Sequence, residues 1–92
     1  MESKDITVVL HTEHGTVFTG DSSSVEVRTN DGAVLLIPAG ETFMSMVHLS
    51  TITLRCGRDL KTFKLKNATA GLHGRHLTVL AEEILPANTP SP

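Results

Sequence analysis

The feature that most narrows the fold is a two-residue alternation of apolar and polar side chains, interrupted by a turn about every ten residues. Ile6, Val8 and Leu10 share one face of Ile6-Thr7-Val8-Val9-Leu10. After the turn-rich His11-Thr12-Glu13-His14-Gly15, a short strand is expected over Thr16-Val17-Phe18-Thr19, broken by Gly20-Asp21-Ser22-Ser23-Ser24. Val25-Glu26-Val27-Arg28 puts two valines inward and two charges outward. Asn30-Asp31-Gly32 is the strongest turn signal, because Asp-Gly tolerates the positive φ of a tight hairpin. Gly32 is therefore expected at positive φ, and Gly40 at a second sharp turn. Ala33-Val34-Leu35-Leu36-Ile37 is apolar on both faces, which predicts a strand buried between two layers and ended by Pro38-Ala39-Gly40. Residues 41–49 are less periodic. Thr51-Ile52-Thr53-Leu54 alternates again, and Cys56-Gly57-Arg58-Asp59 connects it to the returning strand Lys61-Thr62-Phe63-Lys64-Leu65-Lys66. Asn67-Ala68-Thr69-Ala70-Gly71-Leu72 is rich in small residues, His73-Gly74-Arg75 is a turn, and Leu77-Thr78-Val79-Leu80 is the last strand. Glu82-Glu83-Ile84-Leu85 has the look of a helix start halted by Pro86.

No segment sustains a 3.6-residue period, so the class is all-β. With 92 residues the chain is one domain. The expected architecture is a small two-layer, mostly antiparallel β-sandwich over residues 1–85. A disordered Pro-rich tail follows over 86–92. The aromatic content is three phenylalanines, Phe18, Phe43 and Phe63, so the core must be aliphatic. Ile6, Val8, Val25, Val27, Val34, Leu36, Ile52, Leu54, Phe63, Leu65, Leu77 and Val79 are expected to supply most of it.

Composition excludes several partners. The net charge is −2, there is no basic block, and neither Tyr nor Trp is available for stacking. Nucleic-acid binding is therefore set aside. The longest apolar run, Ala33 to Ile37, is far shorter than the roughly 20 residues of a membrane helix. The polar start Met1-Glu2-Ser3-Lys4-Asp5 lacks the apolar stretch of a signal peptide, and the single Cys56 cannot form an internal disulfide. Cytoplasmic residence is expected.

Catalytic chemistry has little to build on. His11-x-x-His14 and His73-x-x-His76 share a spacing and would approach a zinc set if two turns met at one end of the sandwich; turns also tolerate histidine without any ligand. Cys56 with His48 could suggest a thiol nucleophile, but no glycine-rich nucleophile loop accompanies it. Ser22-Ser23-Ser24 is a loop without a nucleophile elbow, and no phosphate-binding loop is present. The expectation is a chain without its own active site, cofactor or metal. Phe43-Met44-Ser45-Met46-Val47 either adapts to a partner or seals one end of the sandwich. Lys61, Lys64 and Lys66 either meet an acidic partner or form a solvated strand face.

The order of elements resembles the N-terminal domain of the epsilon subunit of F-type ATP synthases, a small β-sandwich. The likeness rests on Val17-Phe18-Thr19-Gly20, then Val25-Glu26-Val27, then Asp31-Gly32 leading to the corner Ile37-Pro38-Ala39-Gly40, and on the closing Leu77-Thr78-Val79-Leu80-Ala81-Glu82. It runs from residue 6 to about 84. The departures lie mainly at turns and corners. Gly40 stands at the family's histidine position, Thr42 where a proline follows, Leu49-Ser50 for Pro-Gly, Asn67-Ala68-Thr69 for Ser-Gly-Gly, and Ala33 at an acidic position. The family's C-terminal helical hairpin, which restrains ATP hydrolysis, is replaced by the Pro-rich tail. A chain of this kind is expected to couple rotation without latching it.

The resemblance implies a non-catalytic central-stalk subunit of a proton-translocating ATP synthase. Such a subunit binds the gamma subunit and the c-ring and touches the membrane only through the complex, at the inner face of the plasma membrane. Phe18, Thr51, Phe63 and Met46 are the gamma-facing candidates, with Phe63 also a core candidate. Asp31, Ala33, Pro38 and Glu41 are the ring-facing ones. The rival readings are a free-standing β-sandwich interaction module of another complex, and a metal or small-molecule binder using the histidine pairs.

Overall fold

The computed structural model of the chain describes residues 5–37 and 43–87. These form eight strands: β1 (Ile6–Thr12), β2 (Gly15–Ser22), β3 (Ser24–Thr29), β4 (Val34–Ile37), β5 (Phe43–Cys56), β6 (Asp59–His73), β7 (His76–Leu80) and β8 (Glu83–Pro86). There is no helix among the described residues, and none long and apolar enough to cross a membrane. The strand order is β2-β1-β7-β6-β5-β3-β4, with β8 paired to β6 off this path. Every described pair is antiparallel except β1–β7.

One hairpin belongs to both layers. β5 and β6 run for 14 and 15 residues, well beyond an average strand. Their register shifts between Val47 and Leu49 and again between Leu49 and Thr51. The non-glycine residues at positive φ sit at this bend: His48 at 61° and Asn67 at 50°. A bulge inserts an unmatched residue, bends the strand and sharpens its twist, which is how one ribbon turns a sandwich corner. Beyond the bend, β5 up to Val47 and the end of β6 join β7, β1 and β2 in the first layer. Before it, the start of β6 and the end of β5 join β8, β3 and β4 in the second.

The inner faces meet in one aliphatic core. Ile6, Val8, Leu10, Leu72, Leu77 and Val79 come from the first layer, and Val25, Val27, Ile52, Leu54, Leu65 and Ile84 from the second. Among the described residues every buried side-chain N or O has a hydrogen-bond partner: at the β2–β3 crossing the Arg55 N–H donates to Ser22 Oγ at 2.9 Å, and Ser22 is the buried polar residue described. Gly32 has φ 95°, as the Asp-Gly turn requires.

The structure corrects several expectations. Val34 and Leu36 do not belong to the core; they are 48% and 72% exposed. Residues directly opposite in an antiparallel ladder share a face. Val34 lies opposite Arg28 and Leu36 opposite Glu26, so both apolar residues point outward with the charges. β4 is also the last strand in the sheet order, with no described strand beyond it. Gly20-Asp21-Ser22 continues β2 instead of breaking it, because Val8, Thr7 and Ile6 pair with these residues. The small residues 67–72 are the far half of β6. Glu83 to Pro86 is strand, not a helix start: it pairs with Phe63–Lys66 on the edge of the second layer. There Pro86 can sit without a lost ladder donor. Ala87 N–H then donates to Thr62 C=O at 2.7 Å, so the paired chain extends two residues past the expected boundary at 85. Gly40 and residues 88–92 lie outside the described residues.

Candidate functional site

The gamma-facing candidates separate by depth. Phe63 and Met46 are core residues, 8% and 7% exposed. Phe18 is half-buried on β2 and packs against Phe63 from the opposite layer, with ring centroids 5.5 Å apart and planes tilted by 47°. That tilted contact is favourable for two quadrupolar rings, and it closes one side of the sandwich. A Cβ at Gly20 would lie 3.1 Å from the Phe18 ring, so the glycine makes room for it. Thr51 is half-exposed, paired with Arg28 on one side and Lys64 on the other.

These pairings define the outer face of the second layer. One row runs Val34, Arg28, Thr51, Lys64, Leu85; the next runs Leu36, Glu26, Thr53, Thr62. Thr53 and Thr62 share a hydroxyl hydrogen bond of 3.1 Å. The face is polar in its middle and apolar at its sides, with Leu85 about half exposed. The lysine expectation resolves in part: Lys61, Lys64 and Lys66 are all exposed, and Lys66 forms an ion pair with Glu82 at 3.5 Å.

Of the ring-facing candidates, Asp31 and Ala33 lie in the exposed β3–β4 turn, while Pro38 and Glu41 fall outside the described residues. The turn is tied internally. Thr29 Oγ1 donates to the Asp31 carboxylate, Ala33 N–H donates to Thr29 Oγ1 at 3.0 Å, and Gly32 N–H donates to Thr29 C=O at 3.1 Å. The Thr29 hydroxyl and then the Ala33 N–H favour the ionised carboxylate and hold the Asp31 carboxyl below its ordinary range. The bulge at His48 reaches the same place, because Asn30 N–H donates to His48 C=O at 2.8 Å. A shallow depression of about 400 Å³ results, lined by Thr29, Asn30, Asp31, Ala33, Val47 and His48. Sequence reading named Val47 as part of an adaptable apolar segment and His48 as a possible partner of Cys56, but did not bring either to this turn. The sequence signal for that placement is the loss of two-residue period over 41–49, the mark of a bulge.

The histidine pairs do not meet. β1 and β7 run parallel, and Thr7 is registered with His76 whereas His11 is registered with Leu80. The β6–β7 turn therefore lies beside the start of β1, and His11 and His14 lie at its far end. Among the described residues there is no group of three or more His, Cys, Asp or Glu able to hold a metal. Cys56 packs at the edge of the core at the end of β5, far along the strand from His48.

Comparison with known proteins adds the fold and nothing finer. No protein-family model matches the sequence, and no curated protein matches it. Among solved structures, the fold is similar to that of a chain in the cryo-EM structure of Euglena gracilis mitochondrial ATP synthase, OSCP/F1/c-ring in rotational state 1. The TM-score is 0.78 over 90% of this chain, at 14% sequence identity. This chain spans 54% of the length of that one. At such low identity the likeness establishes a shared β-sandwich architecture.

Proposed function

We propose that the chain is a non-catalytic central-stalk subunit of a proton-translocating F-type ATP synthase, of the epsilon type. It binds the gamma subunit and the c-ring and couples rotation to ATP synthesis. The observation that carries this reading is the architectural match, over 90% of the chain, to a chain of an F1/c-ring assembly. Motif order from Val17-Phe18-Thr19-Gly20 to Leu77-Thr78-Val79-Leu80-Ala81-Glu82 points the same way.

The surface chemistry suits a coupling role. The outer face around Thr51 offers polar hydroxyls in its middle and apolar groups at its sides. The Asp31 turn is stiffened by its own hydrogen bonds, so a rim contact through it transmits force without first ordering a loop. Met46 and Phe63 serve this function from the core by supporting the faces above them. Phe18 does so at the sandwich side.

The test is a pull-down of the tagged chain from its native host, probed for gamma and c subunits in detergent-solubilised membranes. Co-purification of both is expected. Recovery of a different, stable set of partners with neither subunit present overturns the reading and favours the free-standing interaction module.

A further inference from the structure

The outer edge of β4 carries an unusual combination: three exposed apolar side chains on a strand that no described strand covers. Val34, Leu35 and Leu36 are all exposed. β4 ends the sheet. Its backbone is half used. Thr29 N–H donates to Ala33 C=O at 2.9 Å, so Ala33 points its polar groups at β3. In a strand these groups alternate in direction, so Leu35 and Ile37 also point at β3, and Val34 and Leu36 point at the open edge. The edge therefore offers two N–H and two C=O groups beside apolar side chains, the template on which another strand pairs.

We propose that this edge pairs with the same edge of a second copy of the chain, antiparallel, about a two-fold axis through Leu35. Three observations select this occupant and this register. First, an axis at Leu35 sets Val34 of each copy opposite Leu36 of the other. These are the residues whose backbone groups face the edge that no described strand covers, so four hydrogen bonds form. Moving the axis to Leu36 would set Val34 opposite Pro38, which has no N–H to give. Second, the same register covers all the exposed apolar side chains of the strand: Val34 against Leu36 twice on the outer face, and Leu35 against Leu35 on the inner. Third, charge agrees. Leu36 is flanked by Glu26 and Val34 by Arg28. The two-fold places the Glu26 side of one copy in line with the Arg28 side of the other, opposite signs in both rows. The pairing extends one sheet across both molecules and is independent of the stalk reading, since it rests on the edge alone.

A register-specific cross-link tests it. On the axis, the two Leu35 residues form a non-hydrogen-bonded pair with Cα atoms about 4.5 Å apart, within disulfide range. The full chain carrying Leu35→Cys in a Cys56→Ser background is expected to form a covalent dimer on mild oxidation. Val34→Cys in the same background is expected to do so far less, because it faces Leu36. Sedimentation velocity of the unmodified chain is expected to show a dimer that dissociates on dilution. Leu36→Lys, at a solvent-exposed position that leaves the monomer folded by circular dichroism, is expected to weaken it by about tenfold or more. A chain that stays monomeric at every concentration overturns the proposal, as does a dimer indifferent to Leu36→Lys or cross-linking equally at positions 34 and 35. Should Leu35→Cys fail to fold, the sedimentation comparison decides alone.

Discussion

At the β3–β4 turn a single carboxylate is the hub of a small network. Thr29 Oγ1 donates to Asp31, and the Ala33 N–H reaches the Asp31 carboxylate at 3.4 Å as well as Thr29 Oγ1. Both contacts favour the ionised form, so the folded carboxyl titrates below its ordinary, unfolded value. The sign follows from linkage. The contribution to stability is fully present above the unfolded value and is lost as the pH falls through the folded one. The effect is small because the group is open to solvent. In an NMR titration Asp31 should reach its midpoint below the ordinary carboxylate range, and Thr29→Val should move it back toward that range. A wild-type midpoint at the ordinary value would contradict the network. Depth separates two other residues that the sequence reads alike. Ile52 is fully buried between the layers, so Ile52→Ala should cost about 2–5 kcal/mol in chemical denaturation. Val34→Thr, on the outer face of an edge strand, should change stability by no more than about 0.5 kcal/mol when measured on dilute protein.

At the scale of elements, clean alternation was enough to find β1, β3, β7 and the middle of the β5–β6 hairpin, and Asp31-Gly32 marked the β3–β4 turn. The Val34–Ile37 run misled because periodicity cannot say which layer covers a strand. An all-apolar run reads as doubly buried, whereas here it lies at the sheet edge with half its side chains facing out. The candidate site was legible where it rests on a turn, at Asp31 and Ala33. The placement of Val47 and His48 beside that turn was not legible, because a bulge there breaks the period that sequence reading depends on. That bulge carries a testable cost. A non-glycine residue in the left-handed region is disfavoured by roughly 1–2 kcal/mol, less for asparagine, whose side chain tolerates it. His48 at φ 61° therefore stores strain that glycine would relieve, at the expense of a more flexible unfolded chain. His48→Gly should raise stability by up to about 1 kcal/mol, or several degrees in melting temperature. Asn67→Gly should gain less. Destabilisation by His48→Gly would mean that its side chain contributes more to the depression beside Asp31 than its exposed position implies.

For the whole molecule, the proposed stalk role asks how a small aliphatic sandwich would present a surface firm enough to transmit torque. The long β5–β6 hairpin is common to both layers, so a load on the outer face at Thr51 passes through covalent chain and paired backbone into the first layer. The core residues beneath, Ile52 and Phe63, hold that face flat from inside, and Phe18 closes the side. This arrangement predicts that stability and partner binding separate cleanly between neighbouring positions. Phe63→Ala removes a buried ring and its contact with Phe18, and should lower the melting temperature of the isolated chain, with a cost of about 3–5 kcal/mol. Thr51→Arg points outward between Arg28 and Lys64, where it adds bulk and like charge without touching the core. It should leave the melting temperature within a few degrees of wild type. If the Thr51 face meets the gamma subunit, the same substitution should weaken binding to purified gamma by about tenfold or more, because a desolvated contact centre tolerates an unpaired charge poorly. A folded Thr51→Arg chain that binds gamma as wild type does would remove this face from the interface. The neighbouring candidate would then be the Asp31 turn, to be tested by Asp31→Lys in the same assay.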